Sequence, residues 1–215
     1  MFIQRVFDLY VNRSAFWGQL LYEHIVLCSL AIAVISLIGV VTGIWIARNK
    51  SFARMVLAAA DFLYTIPSIA LFGFLVVLTG IGNVSALIAL VLYGILPMLR
   101  ATYTGISEVD TQLLETAKAM GSTEKQLLFR VQLPLALPVI FSGFRTMVIM
   151  TIALGGIASF IGAGGLGVAI WRGITTNNPE MTVAGSLLVA LLAISTDWLI
   201  AKGEKKLRRS WLGEM

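Results

Sequence analysis

The chain has 215 residues, 58% hydrophobic and 13% charged, where an ordinary soluble domain has about 45–50% and about 25%. That balance, with a mean hydropathy of +0.90, excludes a water-soluble globular fold. The basic residues behind the formal charge of +5 fall in short separate segments, which excludes a nucleic-acid-binding stripe. At about 20 apolar residues per crossing, the length holds roughly four to six membrane helices and their connections.

Residues 1–22 read as an amphipathic helix at the membrane surface. Ile3, Val6, Phe7 and Tyr10 share one face at helical spacing, and Trp17 and Tyr22 suit the membrane–water boundary. Acids and bases both precede the first apolar run, so no cleavable leader is expected. His24, beside Glu23, is expected at the interface and not as a ligand or proton relay. Cys28 is the single cysteine, so no internal disulfide and no metal framework is available.

Apolar runs cover about residues 24–47, 55–79, 84–99, 135–160 and 181–200, which makes residues 23–200 a transmembrane unit and 201–215 a basic tail. Pro67 lacks an N–H donor and crowds the carbonyl of Leu63, so the second run is expected to kink. Pro138 and Arg145 interrupt the fourth run without shortening it below a crossing. Twelve of the sixteen Lys and Arg fall after the first, third and fifth runs, including Arg48, Lys50, Arg54, Lys118 and Lys125. Five crossings put all twelve on one face, and the positive-inside rule makes that face cytoplasmic, with the N-terminus outside and the C-terminus inside. Asp61 and Asp197 are the acids within runs. Each lies near a predicted cytoplasmic end, by Arg54 and Lys202 respectively, so ion pairing or snorkelling is expected of them. Arg145 is expected to pair inside the bundle, with Asp61 as its candidate partner.

The longest polar stretch, residues 108–132, has its own helical periodicity in Val109, Leu113, Leu114, Ala117 and Met120. Gly121 is a natural stop, and Thr123 with Gln126 spells a capping box that opens a second short helix to about Arg130. Pro134 and Pro138 then lead back into the membrane. Glu115-Thr116-Ala117, then Gly121, then Val131-Gln132-Leu133-Pro134 resembles the EAA loop of ABC importer permeases, with Thr116 and Val131 as mild departures. Three further stretches are similar to the osmoprotectant branch of those permeases: Thr65 to Leu71, Leu96 to Gly105 and Phe160 to Gly167.

The resemblance implies an all-α membrane protein of about five transmembrane helices, the type I ABC importer permease core, dimerised with a second copy or a paralogue. It implies two ATP-binding subunits that receive the loop carrying Glu115, Thr116, Ala117, Gly121, Val131, Leu133 and Pro134, and an extracytoplasmic substrate-binding protein. It implies a multi-pass location in the bacterial cytoplasmic membrane, with the lipid bilayer as solvent and no nucleic acid as partner. The solute class implied is a quaternary-ammonium compatible solute such as glycine betaine, choline or carnitine, with ergothioneine-like betaines also compatible. No G-x-x-x-x-G-K-[ST] occurs, so no cofactor is expected in this chain, and ATP and Mg belong to the partner ATPase. The G-x-G-x-x-G of Gly162 to Gly167 follows a membrane run instead of a strand and lacks an acid at the required spacing, so it reads as an external turn and not a dinucleotide site. Pro67, Tyr93, Phe160, Gly162, Gly164, Gly165 and Gly167 are the candidate pathway or gate residues. Phe72, Phe74 and Trp171 join Tyr93 and Phe160 as aromatics able to face a quaternary ammonium. The competing class is a self-contained channel or ion-coupled transporter with Asp61 as coupling residue.

Overall fold

The computed structural model describes residues 2–212, with side chains described to residue 205. The side chains of Lys206, Arg208 and Arg209, counted above in the basic tail, lie outside the described residues. Ten α-helices and no strand occur among the described residues: α1 (Phe2–Asn12), α2 (Ser14–Ile46), α3 (Lys50–Thr65), α4 (Ser68–Thr79), α5 (Asn83–Ser107), α6 (Thr111–Ala119), α7 (Glu124–Leu127), α8 (Leu133–Ala158), α9 (Gly167–Thr175) and α10 (Pro179–Leu212).

Helices α2, α5, α8 and α10 are long and apolar enough to cross a membrane. The inner core is shared by α2, α5 and α8 through residues such as Ile35, Leu90, Met147 and Ile152. Small residues allow the close approach that membrane helices need. A β-carbon on Gly94 would strike Ile35, and one on Gly143 would strike Ala101. Along α10 the row Leu187, Leu191, Ile194 and Trp198 is exposed, as a lipid-facing stripe requires.

The second apolar run is broken, not merely kinked. Between α3 and α4 the axis turns by 97° at Ile66 and Pro67. Proline removes one donor, and the residue before it is driven to an extended conformation, here φ −69° and ψ 126° at Ile66. Taken together the pair is long and apolar enough to count as a fifth span. At 1.5 Å per residue its two arms, set at that angle, join ends about 28 Å apart, close to the thickness of a hydrocarbon core.

The two ends of the bundle are distinct. At one end α1 packs on α10, where Arg5 pairs with Glu180 at 3.1 Å. Tyr10 donates there to the Ala184 carbonyl at 2.7 Å, and burial pushes the Tyr10 phenol up. Within α1, Val6 is buried while Ile3 and Phe7 are exposed, so the apolar face expected as one unit is split between bundle and surroundings. Trp17 is not a boundary residue: it is buried and donates to the Leu9 carbonyl. His24 is also corrected. It is 1% exposed, and its Nε2 donates to the Ile152 carbonyl at 3.1 Å. α2 begins ten residues before His24, which places the imidazole inside the packed bundle instead of at its rim.

Candidate functional site: the interhelical loop and the pathway seam

The polar stretch projects from the opposite end of the bundle as two helices meeting at a glycine. Asp110 caps α6 by accepting from the Gln112 N–H at 2.8 Å. At the far end Gly121 has φ +84°. The Ser122 N–H donates to the Ala117 carbonyl and the Gly121 N–H to the Lys118 carbonyl, the two bonds of a Schellman stop. The capping box forms as expected: Thr123 N–H donates to Gln126 Oε1 at 2.9 Å, and the Gln126 N–H donates to Thr123 Oγ1 at 3.3 Å. An ion pair unseen in the sequence, Lys118 to Glu124 at 3.3 Å, ties the two helices across the bend.

The second helix does not stop near Arg130. After α7 a π-helical turn, Leu128–Gln132, runs directly into α8, so one helical path leads from the loop into the bundle. The wider turn has a physical cause. Pro134 would crowd the carbonyl of Arg130 in a regular helix, and a five-residue repeat there relieves it. Leu133 packs at the edge of the inner core, and Val131 and Pro134 are half-buried. α7 and α8 are therefore joined by continuous helical backbone.

Glu115, Thr116 and Gly121 are exposed, whereas Ala117 and Leu114 turn toward the bundle. Leu114, Lys118, Glu124 and Gln132 line a cavity of about 320 Å³ with Ile44, Ala47 and Arg48 of the segment ending α2. Met120 and Phe129, both exposed, flank the bend with apolar surface. The loop thus presents the Glu115 carboxylate, with no ion pair among the described residues, small residues and two large apolar side chains on a stiff bend.

The candidate pathway residues divide into two groups that the fold does not bring together. Pro67 and Tyr93 meet at the break in α3–α4, where the Tyr93 hydroxyl donates to the Ile66 carbonyl that the break leaves free. The Tyr93 ring stands 5.7 Å from that of Tyr64. Phe160 and the Gly162 to Gly167 turn lie at the end of the bundle where α2 begins. Phe160 packs on Trp171 with ring centroids 4.6 Å apart. Gly162 and Gly165 have φ of +79° and +94°. Glu23 accepts from the Gly165 N–H at 3.0 Å, and a side chain at Gly164 would run into the Glu23 carboxylate. A cavity of about 580 Å³ opens beside this turn, walled by Tyr22, Glu23 and Asn83.

The charged pairs differ from those expected. Arg145 engages Asp197, not Asp61, by two contacts, Nε to Oδ1 and Nη2 to Oδ2, the second at 2.7 Å. Glu204 stands 4.0 Å from the same guanidinium. Asp61 pairs instead with Arg100 of α5, and neither acid is held by the base next to it in sequence, Arg54 or Lys202. Sequence neighbours were misleading because α5 crosses α3, and α10 crosses α8, at these levels.

Comparison with known proteins agrees with this architecture. The family model described as "Binding-protein-dependent transport system inner membrane component" matches residues 21–209. The osmoprotectant import permease protein OsmW of Salmonella typhimurium is 42% identical over 88% of this chain and 91% of its own. The choline transport system permease protein OpuBB of Bacillus subtilis is 41% identical over 88% and 89%. The glycine betaine/carnitine/choline transport system permease protein OpuCB of Bacillus subtilis is 39% identical over 88% of each chain. Among solved structures, the MetNI methionine ABC transporter in an inward-facing conformation superposes with a TM-score of 0.73 at 24% identity, covering 88% of this chain and 93% of that one. An amino acid ABC transporter with histidines gives 0.74 at 19% identity over 91% and 96%. These two likenesses concern the fold. With the family model spanning nearly the whole bundle, this chain belongs to the inner membrane components of binding-protein-dependent transport systems.

Proposed function

We propose that this chain is the permease subunit of an ATP-binding-cassette importer that takes up a small quaternary-ammonium osmoprotectant: glycine betaine, choline, carnitine or a similar betaine. Two copies, or one copy with a paralogue, form the pathway in the bacterial cytoplasmic membrane. Two ATP-binding subunits seat the α6–α7 loop from the cytoplasm, and an extracytoplasmic binding protein delivers the solute. The observation that carries this reading is the loop. A Schellman stop at Gly121, backed by a capping box and an interhelix ion pair, makes a rigid protrusion continuous with α8. Rigidity is what a mechanical input requires, because a flexible loop would absorb the displacement that nucleotide-driven closure of the partners produces. ATP and Mg bind in those partners.

The solute class is supported by the names of the relatives, which include osmoprotectant, choline, and glycine betaine/carnitine/choline permeases. An ion-coupled mechanism through Asp61 is disfavoured by its pairing with Arg100, which supplies the carboxylate with a fixed counter-charge. The test is uptake by the complete transporter in proteoliposomes. Accumulation of glycine betaine or choline should require ATP and the binding protein and should persist when the pH gradient is collapsed. Uptake that follows an ion gradient without ATP would overturn the proposal.

A further inference from the structure

The Asp61–Arg100 pair is placed where a merely structural ion pair is out of character. Its side chains are 46% and 55% exposed on the surface of the single chain. Arg100 directly follows the apolar run of α5, whereas Asp61 lies inside the apolar run that α3 opens. A carboxylate within such a run faces a bundle interior or a water-filled cavity, because hydrocarbon does not solvate it. The seam of α3 and α5 is therefore a wetted or protein-covered face and not a lipid-facing one. Tyr64, one turn from Asp61 on α3, is 43% exposed on the same seam. Its hydroxyl donates to the Met150 sulfur at 3.3 Å, which fixes the ring. Two turns from Arg100 on α5, Tyr93 backs that ring.

The pair is also incompletely joined. Arg100 meets Asp61 through Nη2 and Oδ1. Among the described residues, Oδ2 of Asp61 and the other guanidinium N–H groups of Arg100 have no further hydrogen bond. The Arg145–Asp197 pair, by contrast, is closed at two points with Glu204 beside it, and reads as a clamp between α8 and α10. Resting on the quaternary-ammonium reading above, we infer that the α3–α5 seam is the solute-contacting surface of the pathway and that Asp61, Tyr64 and Arg100 together accept a zwitterion, with a trimethylammonium at one end and a carboxylate at the other. The carboxylate takes the guanidinium fork in two-point geometry. The quaternary ammonium has no N–H and needs none: it rests on the Tyr64 face and against the Asp61 charge. Insertion replaces one ion pair with two. A plain cation such as choline fills the Asp61–Tyr64 half and leaves Arg100 without its counter-charge.

The test is uptake of glycine betaine and of choline by the complete transporter in proteoliposomes, with subunit co-purification measured alongside. Arg100→Gln should lower glycine betaine uptake relative to choline by about tenfold, the scale of one lost charge-assisted contact. The double variant Asp61→Asn with Arg100→Gln removes both charges, leaves no uncompensated ion, and should assemble as the wild type does. It should lose uptake of both solutes. Tyr64→Leu should weaken uptake of both, and Tyr64→Phe should retain it. A double variant that transports both solutes at the wild-type rate overturns the inference. So does an Arg100→Gln variant that lowers both equally, failure of the double variant to assemble, or a wild type that moves choline and no zwitterion. A wild type that moves neither solute overturns the quaternary-ammonium reading itself.

Discussion

At the scale of single residues, the closest approach at any of the described glycines sits where the sequence shows only a glycine-rich turn. Gly167 opens α9 against α8, and a β-carbon there would fall on the Gly156 carbonyl and within reach of the Ser159 hydroxyl. Backbone cannot step aside as a flexible side chain can, so α8 and α9 would have to separate. Gly167→Ala should lower stability by about 1–3 kcal/mol, the usual cost of overpacking. Gly18, in the second turn of α2, has nothing within 4 Å of such a carbon. Gly18→Ala should be neutral or gain about 0.5–1 kcal/mol from helix propensity. Thermal unfolding of the two variants in detergent compares them directly. Equal transition temperatures would mean that α9 is not packed as described. Read by spacing alone, Gly162, Gly164, Gly165 and Gly167 are one motif. In three dimensions they are separate devices: positive φ at Gly162 and Gly165, room for the Glu23 carboxylate at Gly164, and helix contact at Gly167.

At the scale of elements, the loop is where local chemistry and proposed function coincide. A β-branched residue at the positive φ of Gly121 costs on the order of 1–2 kcal/mol and would re-aim α6 relative to α7. Gly121→Val should therefore leave membrane insertion intact, weaken co-purification of the ATP-binding subunits, and reduce uptake by more than about tenfold. Glu115→Lys, on an exposed position of α6, should do the same by reversing charge at the docking face. Glu108→Lys, outside the motif, is the control, and wild-type behaviour in all three would remove the loop from the coupling path. This element was legible in the sequence because every signal in it is local: a cap, a glycine and a capping box within seventeen residues of chain. The break at Pro67 was legible as a kink and not in its size. A break of 97° also needs a long-range partner, since the Tyr93 hydroxyl satisfies the Ile66 carbonyl that an isolated kinked helix would leave bare in the membrane. The π-helical turn before Pro134 was likewise invisible, being a compromise between a proline and a helix that continues for other reasons.

At the scale of the whole molecule, the hydropathy pattern and the packing reach the same crossing count by independent routes. The start of α2 and the start of α5 wall one cavity through Tyr22, Glu23 and Asn83. The segment ending α2 and the last turn of α5 wall another through Ala47, Arg48 and Ile106. Two helices that begin and end together run parallel, so the chain between them must return across the bundle, and the bent α3–α4 pair makes that return. The partners of Asp61 and Arg145 were the part that sequence could not supply, because helix order in space, not spacing in the chain, decides which charges meet. With the bent pair counted as the fifth span, the loop and the end of α10 lie at one end of the bundle and α1, α9 and the Gly162 turn at the other. We propose, from the Lys and Arg excess, that the loop side is the cytoplasmic one. Impermeant thiol labelling of intact cells tests this in a Cys28→Ser background. Thr176→Cys and Val84→Cys, both on exposed outer positions, should label readily, and Lys125→Cys should label only after the membrane is opened. Labelling of Lys125→Cys in intact cells would invert the topology, put the loop out of reach of any cytoplasmic ATPase, and end the coupling proposal with it.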